Sequence, residues 1–235
     1  RFKVGNVSCC STIHPFYDTD SLIVAAELFL SVADQYGHSE NYQYDIVDIV
    51  RQTVANRGYH TYQAIVKAHQ SNDIIRVKTL SKEFLELILA QDKLLSTEPT
   101  FMLGRWTNQA RKIGVTLAEK NQNEWNARTL ISVWGTRESA YMLYNYAYKE
   151  WSGILKDLYY PRWRDYFTNL ILEMETGLKQ PAIDFFGMAE LWTNMTNYYP
   201  DSAQYNPLEM SKTVFNEFVK EQHGCQQCSS ALNTL

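Results

Sequence analysis

The chain has 235 residues, of which 45% are hydrophobic and 20% charged; this excludes a disordered segment and allows a sizeable core. The net charge is −4, and the lysines and arginines are scattered, which argues against a nucleic-acid or anionic-membrane partner. No apolar run reaches the ~18 residues of a membrane span.

Arg1 rather than Met opens the sequence and no signal segment follows it, so a processed product or a piece lacking upstream sequence is expected. Asp20 or Ser21 suits the start of a first helix that runs to Tyr36 and ends at Gly37. From Tyr42 to His69 the apolar positions Ile46, Ile49, Val50, Val54, Tyr62, Ile65 and Val66 fall at helical spacing, with Gly58 placed to kink or divide the segment. Asp73 suits the N-terminus of a clearer helix, on which Leu80, Phe84, Leu87, Ile88, Leu94 and Leu95 share one face.

Glu98-Pro99-Thr100 breaks the chain before a helix over 101–120, and further helical turns lead from Asn121 to Val133. Trp134-Gly135-Thr136 reads as a loop. A new helix is expected from Glu138 or Ser139, burying Leu143, Ala147, Trp151, Ile154, Leu155 and Leu158. Pro161 is tolerated in the first turn of the following helix, because its missing N–H has no helical partner there; that helix ends at Gly177. Shorter helices follow over 185–196 and 207–222. No series of alternating β-branched strands is present and no internal repeat, so the expected fold is all-α: a single multi-helix domain of packed antiparallel helical hairpins over 1–222, with a polar tail over 223–235.

Most chemistry-bearing motifs are absent. There is no Glu-x-x-His pair, no His-Glu-x-x-His, no Gly-rich phosphate loop and no Gly-x-Ser-x-Gly elbow. Cys225-x-x-Cys228 lacks a matching second pair, and Cys9-Cys10 does not supply one at normal spacing, so no metal or other cofactor is expected, and the pairing of these four cysteines stays open. His60 and His69 sit at helix positions that favour structural or solvated roles, and His14, His38 and His223 have no assigned one. The carboxylate pairs Asp45/Asp48 and Glu83/Glu86 share helix faces and read as solvated surface rather than as a glycosidase pair. Asn6-Val7-Ser8 and Asn194-Met195-Thr196 fit the N-glycosylation pattern. The 16 Tyr, 10 Phe and 6 Trp suit either a ring-filled core or a ring-lined sugar site.

Ordered motifs sharpen this. Leu103-Gly104-Arg105-Trp106-Thr107-Asn108-Gln109-Ala110-Arg111 is followed by Asn126-Ala127-Arg128-Thr129-Leu130-Ile131-Ser132-Val133-Trp134-Gly135. Then come Tyr146-Ala147-Tyr148-Lys149-Glu150-Trp151-Ser152-Gly153 and Tyr159-Tyr160-Pro161-Arg162-Trp163. In this order, with Tyr44-Asp45-Ile46-Val47-Asp48-Ile49-Val50-Arg51-Gln52 upstream, they resemble the C-terminal helical domain of the α-N-acetylglucosaminidase family, over about residues 15–220.

The resemblance implies a retaining exo-enzyme that removes terminal α-linked N-acetylglucosamine with two glutamates. Both lie on a (β/α)8 barrel that precedes the helical domain in the family. A barrel needs ~250 residues and eight strands, which this sequence does not hold, so no catalytic residue is assigned here. The implied role is to complete the sugar pocket, with Trp134, Gly135 and Tyr146 as the matching substrate-binding positions. The implied partners are the barrel of the same enzyme and the terminal sugar of a glycan, in a secreted, periplasmic or lysosomal setting. The 134–146 segment is a few residues longer than the family spacing, and Thr136 stands where proline is expected. Arg162 is expected to pair with a buried acid or a helix C-terminus. The alternative reading is a stand-alone helical module for carbohydrate or protein binding.

Overall fold

A computed structural model describes residues 15–139, 145 and 147–220. Asn6, the four cysteines, His14, His223, Tyr146 and the 223–235 tail lie outside the described residues. Among the described residues the chain is helical, with no strand and only an isolated bridge between Met102 and Ser152. The all-α reading therefore holds.

α1 (Thr19–Ser31) starts on Asp18, whose carboxylate accepts from the N–H groups of Asp20 and Ser21, satisfying two donors that have no partner within the helix. The expected helix to Tyr36 divides at Val32, leaving α2 (Ala33–Tyr36). Gly37 ends it in right-handed backbone, with φ −60°. α3 (Glu40–Gln70) then runs 31 residues without a break, so Gly58 does not divide it. Packing explains this: Gly58 is buried, α3 packs on α1, on α4 (Ile74–Leu95) and on α9 (Pro207–Phe215), and tertiary burial outweighs the ~1 kcal/mol propensity cost of one glycine.

Asn72, at φ 57°, turns the chain, and Asp73 caps α4 (Ile74–Leu95) by accepting from the Arg76 N–H. The α3–α4 hairpin carries the core: Ile46, Val47, Val50, Val54, Val77, Leu87, Ile88 and Leu94 have no exposed surface. α7 (Tyr160–Thr176) closes it with an aromatic cluster. Trp163 lies 4.6 Å from Phe84 and 5.4 Å from Phe167, ring centre to ring centre. Gly177 ends α7 as expected, at φ 69°, in the left-handed backbone that glycine adopts without penalty.

Two expectations fail in instructive ways. The helix over 101–120 is two helices, α5 (Leu103–Ile113) and α6 (Leu117–Leu130), hinged at Gly114. Thr116 and Glu119 form a capping box that starts α6 afresh. The helix from Glu138 does not form among the described residues, and helical structure resumes only at Ile154. The backbone near residue 152 is engaged elsewhere: Ser152 N–H donates to the Phe101 carbonyl at 2.8 Å, and Leu103 N–H donates to the Ser152 carbonyl at 3.0 Å. Gly153 sits at φ 95°, outside any helix. Ile154, Leu155 and Leu158 are nevertheless buried as expected, in a π-helical turn (Leu155–Tyr159) that feeds α7. α8 (Phe185–Thr193) ends three residues before its expected limit, and α9 (Pro207–Phe215) passes into a second π-helical turn over 216–220.

Candidate functional site

The site begins where α6 ends. Ile131, Ser132 and Val133 are buried, and they anchor the chain before it turns outward. The Ser132 hydroxyl donates to the Arg128 carbonyl at 2.7 Å, and the Ser132 carbonyl accepts from the Asn145 N–H at 2.6 Å. Trp134 follows, its N–H donating back to the Thr129 carbonyl at 2.9 Å. Trp134 is 41% exposed on this buried footing. The left-handed torsion of this turn falls not on Gly135 but on Trp134 itself, at φ 67°. That backbone costs an L-residue roughly 1–2 kcal/mol, and bulky side chains adopt it only where their surroundings over-determine it, most often at functional sites.

The described residues after Gly135 are braced. The Thr136 hydroxyl accepts from the Ser139 N–H at 3.3 Å and lies 3.0 Å from the Ser139 hydroxyl. Arg137 makes two parallel bonds to Asp184, Nη1 to Oδ1 at 3.0 Å and Nη2 to Oδ2 at 2.7 Å. The same carboxylate accepts from the Gly187 N–H and caps α8. Arg137 and that cap hold the Asp184 carboxyl below the ordinary value. Two elements distant in sequence thus fix the loop's far side.

Beneath the loop, Arg162 is fully buried. It was expected to pair with an acid or a helix C-terminus. Among its described bonds, Nη1 donates to Oδ1 of Asn145 at 2.8 Å and Nη2 to the Phe185 carbonyl at 2.7 Å. Asn145 is itself buried and left-handed, at φ 63°. Tyr146 lies outside the described residues, so only Trp134 and Gly135 of the expected contacts have a described position, side by side in this loop.

A second buried arginine stiffens the adjoining helix. Arg128 is stacked between Trp192 and Tyr199, its guanidinium carbon 5.0 and 5.1 Å from the ring centres. Its Nη2 donates to Glu124 at 2.6 Å and to the Asn197 carbonyl at 3.0 Å. The other Glu124 oxygen accepts from Arg111 at 2.6 Å. Paired on both oxygens, the buried carboxylate avoids the several-kcal/mol cost of an isolated charge.

The carboxylates singled out in the sequence are held in ion pairs or exposed. Asp48 bonds Arg51, Glu83 bonds Arg57 and Thr61, and Glu86 faces Lys82, while Asp45 is exposed. The acid that sequence reasoning missed is Asp92. Burial pushes its carboxyl up to about 6, against the lowering effect of the Gly153 and Lys156 N–H groups. Those amides donate to its Oδ1 at 2.7 and 3.1 Å, and the Ser152 hydroxyl lies 3.4 Å from Oδ2. Asp92 is thus a remote cap on the helical segment opening at Ile154. Its neighbour Asp157 is engaged by the Tyr199 hydroxyl at 2.7 Å and by Asn197. Among the described residues no group of three His, Cys, Asp or Glu stands ready for a metal, and no helix is long and apolar enough to cross a membrane.

Comparisons with known proteins agree on the family. Residues 3–217 match the family described as the α-N-acetylglucosaminidase (NAGLU) C-terminal domain. The chain is similar to the human α-N-acetylglucosaminidase, 25% identical over 208 residues, covering 86% of this chain and 28% of the human protein. It is also similar to a family 89 glycoside hydrolase from Clostridium perfringens, solved with 2-acetamido-1,2-dideoxynojirmycin. Identity there is 32% and the TM-score 0.82, over 87% of this chain and 24% of that one. A variant of that enzyme carrying two glutamate-to-glutamine substitutions, solved with its substrate GlcNAc-α-1,4-galactose, superposes with a TM-score of 0.86 at 31% identity over 95% of this chain and 26% of that chain. This chain thus spans about a quarter of the length of these relatives.

Proposed function

Because the chain belongs to the family of α-N-acetylglucosaminidase C-terminal domains, we propose that it works as the helical domain of a retaining exo-α-N-acetylglucosaminidase, completing a sugar pocket beside a (β/α)8 catalytic domain. The acid/base and nucleophile belong to that other domain, and the working setting is secreted, periplasmic or lysosomal. The observation that carries the reading is Trp134, a half-exposed indole in left-handed backbone on a fully buried footing. An aromatic face exposed from a backbone held this way can enclose the C–H face of a pyranose. Tyr146 is proposed as a second, hydrogen-bonding contact on the strength of the sequence resemblance alone.

The surface supports a partner domain. Ile113, Val115 and Leu117 stand exposed together at the α5–α6 hinge, and Val24 and Leu28 are exposed on the outer side of α1. Apolar side chains gathered at one place mark surfaces that another domain covers. The large share of its relatives' length that the chain lacks is consistent with such a domain.

The test is kinetic. In the complete enzyme, Trp134→Ala lowers kcat/KM on an aryl α-N-acetylglucosaminide about tenfold, the size of one aromatic contact, while the 235-residue chain alone hydrolyses none. An unchanged kcat/KM would remove Trp134 from the pocket, and turnover by the isolated chain would contradict the missing carboxylates.

A further inference from the structure

A depression of about 510 Å³ lies between α6 and the end of α8, away from the Trp134 loop, which follows the other end of α6. Its walls are Asn121, Gln122 and Trp125 on one side and Asn194, Met195 and Thr196 on the other, over a floor formed by Glu124. Both Glu124 oxygens are taken by Arg111 and Arg128, so the floor is rigid and offers no free carboxylate. The indole of Trp125 is 40% exposed. Arg111 donates to Oδ1 of Asn121 at 3.0 Å, which leaves the Asn121 amide nitrogen as a donor toward solvent. A half-exposed indole flanked by fixed carboxamides, with no net charge to satisfy, is the chemistry that recognises a pyranose: the ring stacks and the amides bond its hydroxyl and acetamido groups.

The opposite wall is Asn194-Met195-Thr196, an N-glycosylation sequon. All three residues are exposed, and the chain over 195–200, after Asn194 at the C-cap of α8, has no regular structure. One Asn194 Nδ2–H donates to the Glu190 carbonyl at 2.8 Å; the other is free to be replaced by a sugar without losing that bond. We infer that the depression seats an N-acetylglucosamine ring against Trp125. The ring comes either from a glycan attached to Asn194 or from a free glycan chain. In the attached case, Nδ2 bonds the anomeric carbon of a lipid-diphosphate oligosaccharide donor. The anomeric C–O bond breaks, the diphosphate leaves with its electron pair, and Nδ2 gives up one proton.

Two arms of one experiment separate the sources. In the first, the chain is secreted from eukaryotic cells and peptide-mapped after N-glycan release, which leaves aspartate wherever a glycan stood; the Trp125 indole N–H resonance of the glycosylated chain is compared with that of the released chain and with that of glycan-free chain from bacteria carrying Asn194→Asp, which has the same charge at that position. In the second, glycan-free chain from bacteria is titrated with N,N′-diacetylchitobiose while the same resonance is followed. Occupancy at Asn194, lost in Asn194→Gln and Thr196→Ala, together with a Trp125 resonance that moves on release, supports the attached source. A saturable Trp125 shift in the second arm, with calorimetric affinity falling about tenfold in Trp125→Ala, supports the free one. If neither arm moves the Trp125 resonance, or if release of an Asn194 glycan leaves it in place and chitobiose does not bind, the inference is overturned. Because the readout is Trp125 and not Trp134, failure here leaves the pocket reading intact.

Discussion

The α3–α4 hairpin and the α6–α7 connection are held by opposite means. In the hairpin, two long helices bury continuous apolar faces, and no residue takes an unusual torsion outside the Asn72 turn. The connection from Ile131 to Gly153 includes a described stretch with little regular structure, three positive-φ residues (Trp134, Asn145 and Gly153) and contacts to distant elements. Its bonds run from Glu150 to Arg51 and Gln91, from Gly153 to Asp92, and from Arg137 to Asp184. Apolar burial is non-directional and tolerates substitution, whereas these polar contacts fix orientation at little net gain in stability. The hairpin therefore carries the fold, and the connection carries the candidate site.

The largest expected effect is in the hairpin. Phe84 is buried against Tyr62, Trp163 and Phe167. Phe84→Ala removes the ring where three helices meet, and a cavity there closes poorly. A loss of about 3–5 kcal/mol is expected, read as a lower urea midpoint at an unchanged m-value. A loss below 1 kcal/mol would mean that the cluster is not the keystone of the core.

The two regions also differed in what sequence could tell. The hairpin was legible because its determinants are local: apolar spacing at 3.6 residues and the Asp73 cap are both written into the chain. The break at Gly114 was equally local, since Thr116-x-x-Glu119 is a capping box, yet the apolar spacing on either side concealed it. The connection was misread for a different reason. Ala147, Trp151, Ile154 and Leu158 fall at helical spacing, but what decides the backbone at residues 152–153 is Asp92 and Phe101, about fifty or sixty residues away. Asp92 itself looked like one more polar helix residue. Trp134 is singled out only by the order of motifs, and nothing local in the sequence places a left-handed torsion on it rather than on the glycine beside it.

The next effect tests the polar anchoring through pH. The Asp92 carboxyl stands at about 6 in the folded chain, against a reference value of 3.8. Between those values the folded state binds more protons than the unfolded one, so stability falls as pH rises through that window and the protonated form's advantage is gone above about pH 6. Asp92→Asn keeps an oxygen for the Gly153 and Lys156 amides and cannot ionise. The variant should match the parent near pH 4 and exceed it at pH 7 by about 1–3 kcal/mol. A stability difference between variant and parent that stays level across pH 4–7 would show that Asp92 ionises in the fold without penalty.

The smallest effect on stability is the most informative about function. Trp134→Gly removes the left-handed penalty of roughly 1–2 kcal/mol and also removes an indole that is only partly buried, whose burial contributes a similar amount. The two nearly cancel, so stability should change by less than about 1 kcal/mol in either direction. Under the proposed pocket, in which the ring and not the backbone meets the sugar, activity of the complete enzyme should nonetheless fall about tenfold. A residue that costs the fold as much as it contributes, and whose loss is felt only in turnover, is kept for binding. If Trp134→Gly instead loses 3 kcal/mol or more, the indole is part of the core, and the distinction drawn between hairpin and connection fails at the residue on which the proposed pocket depends.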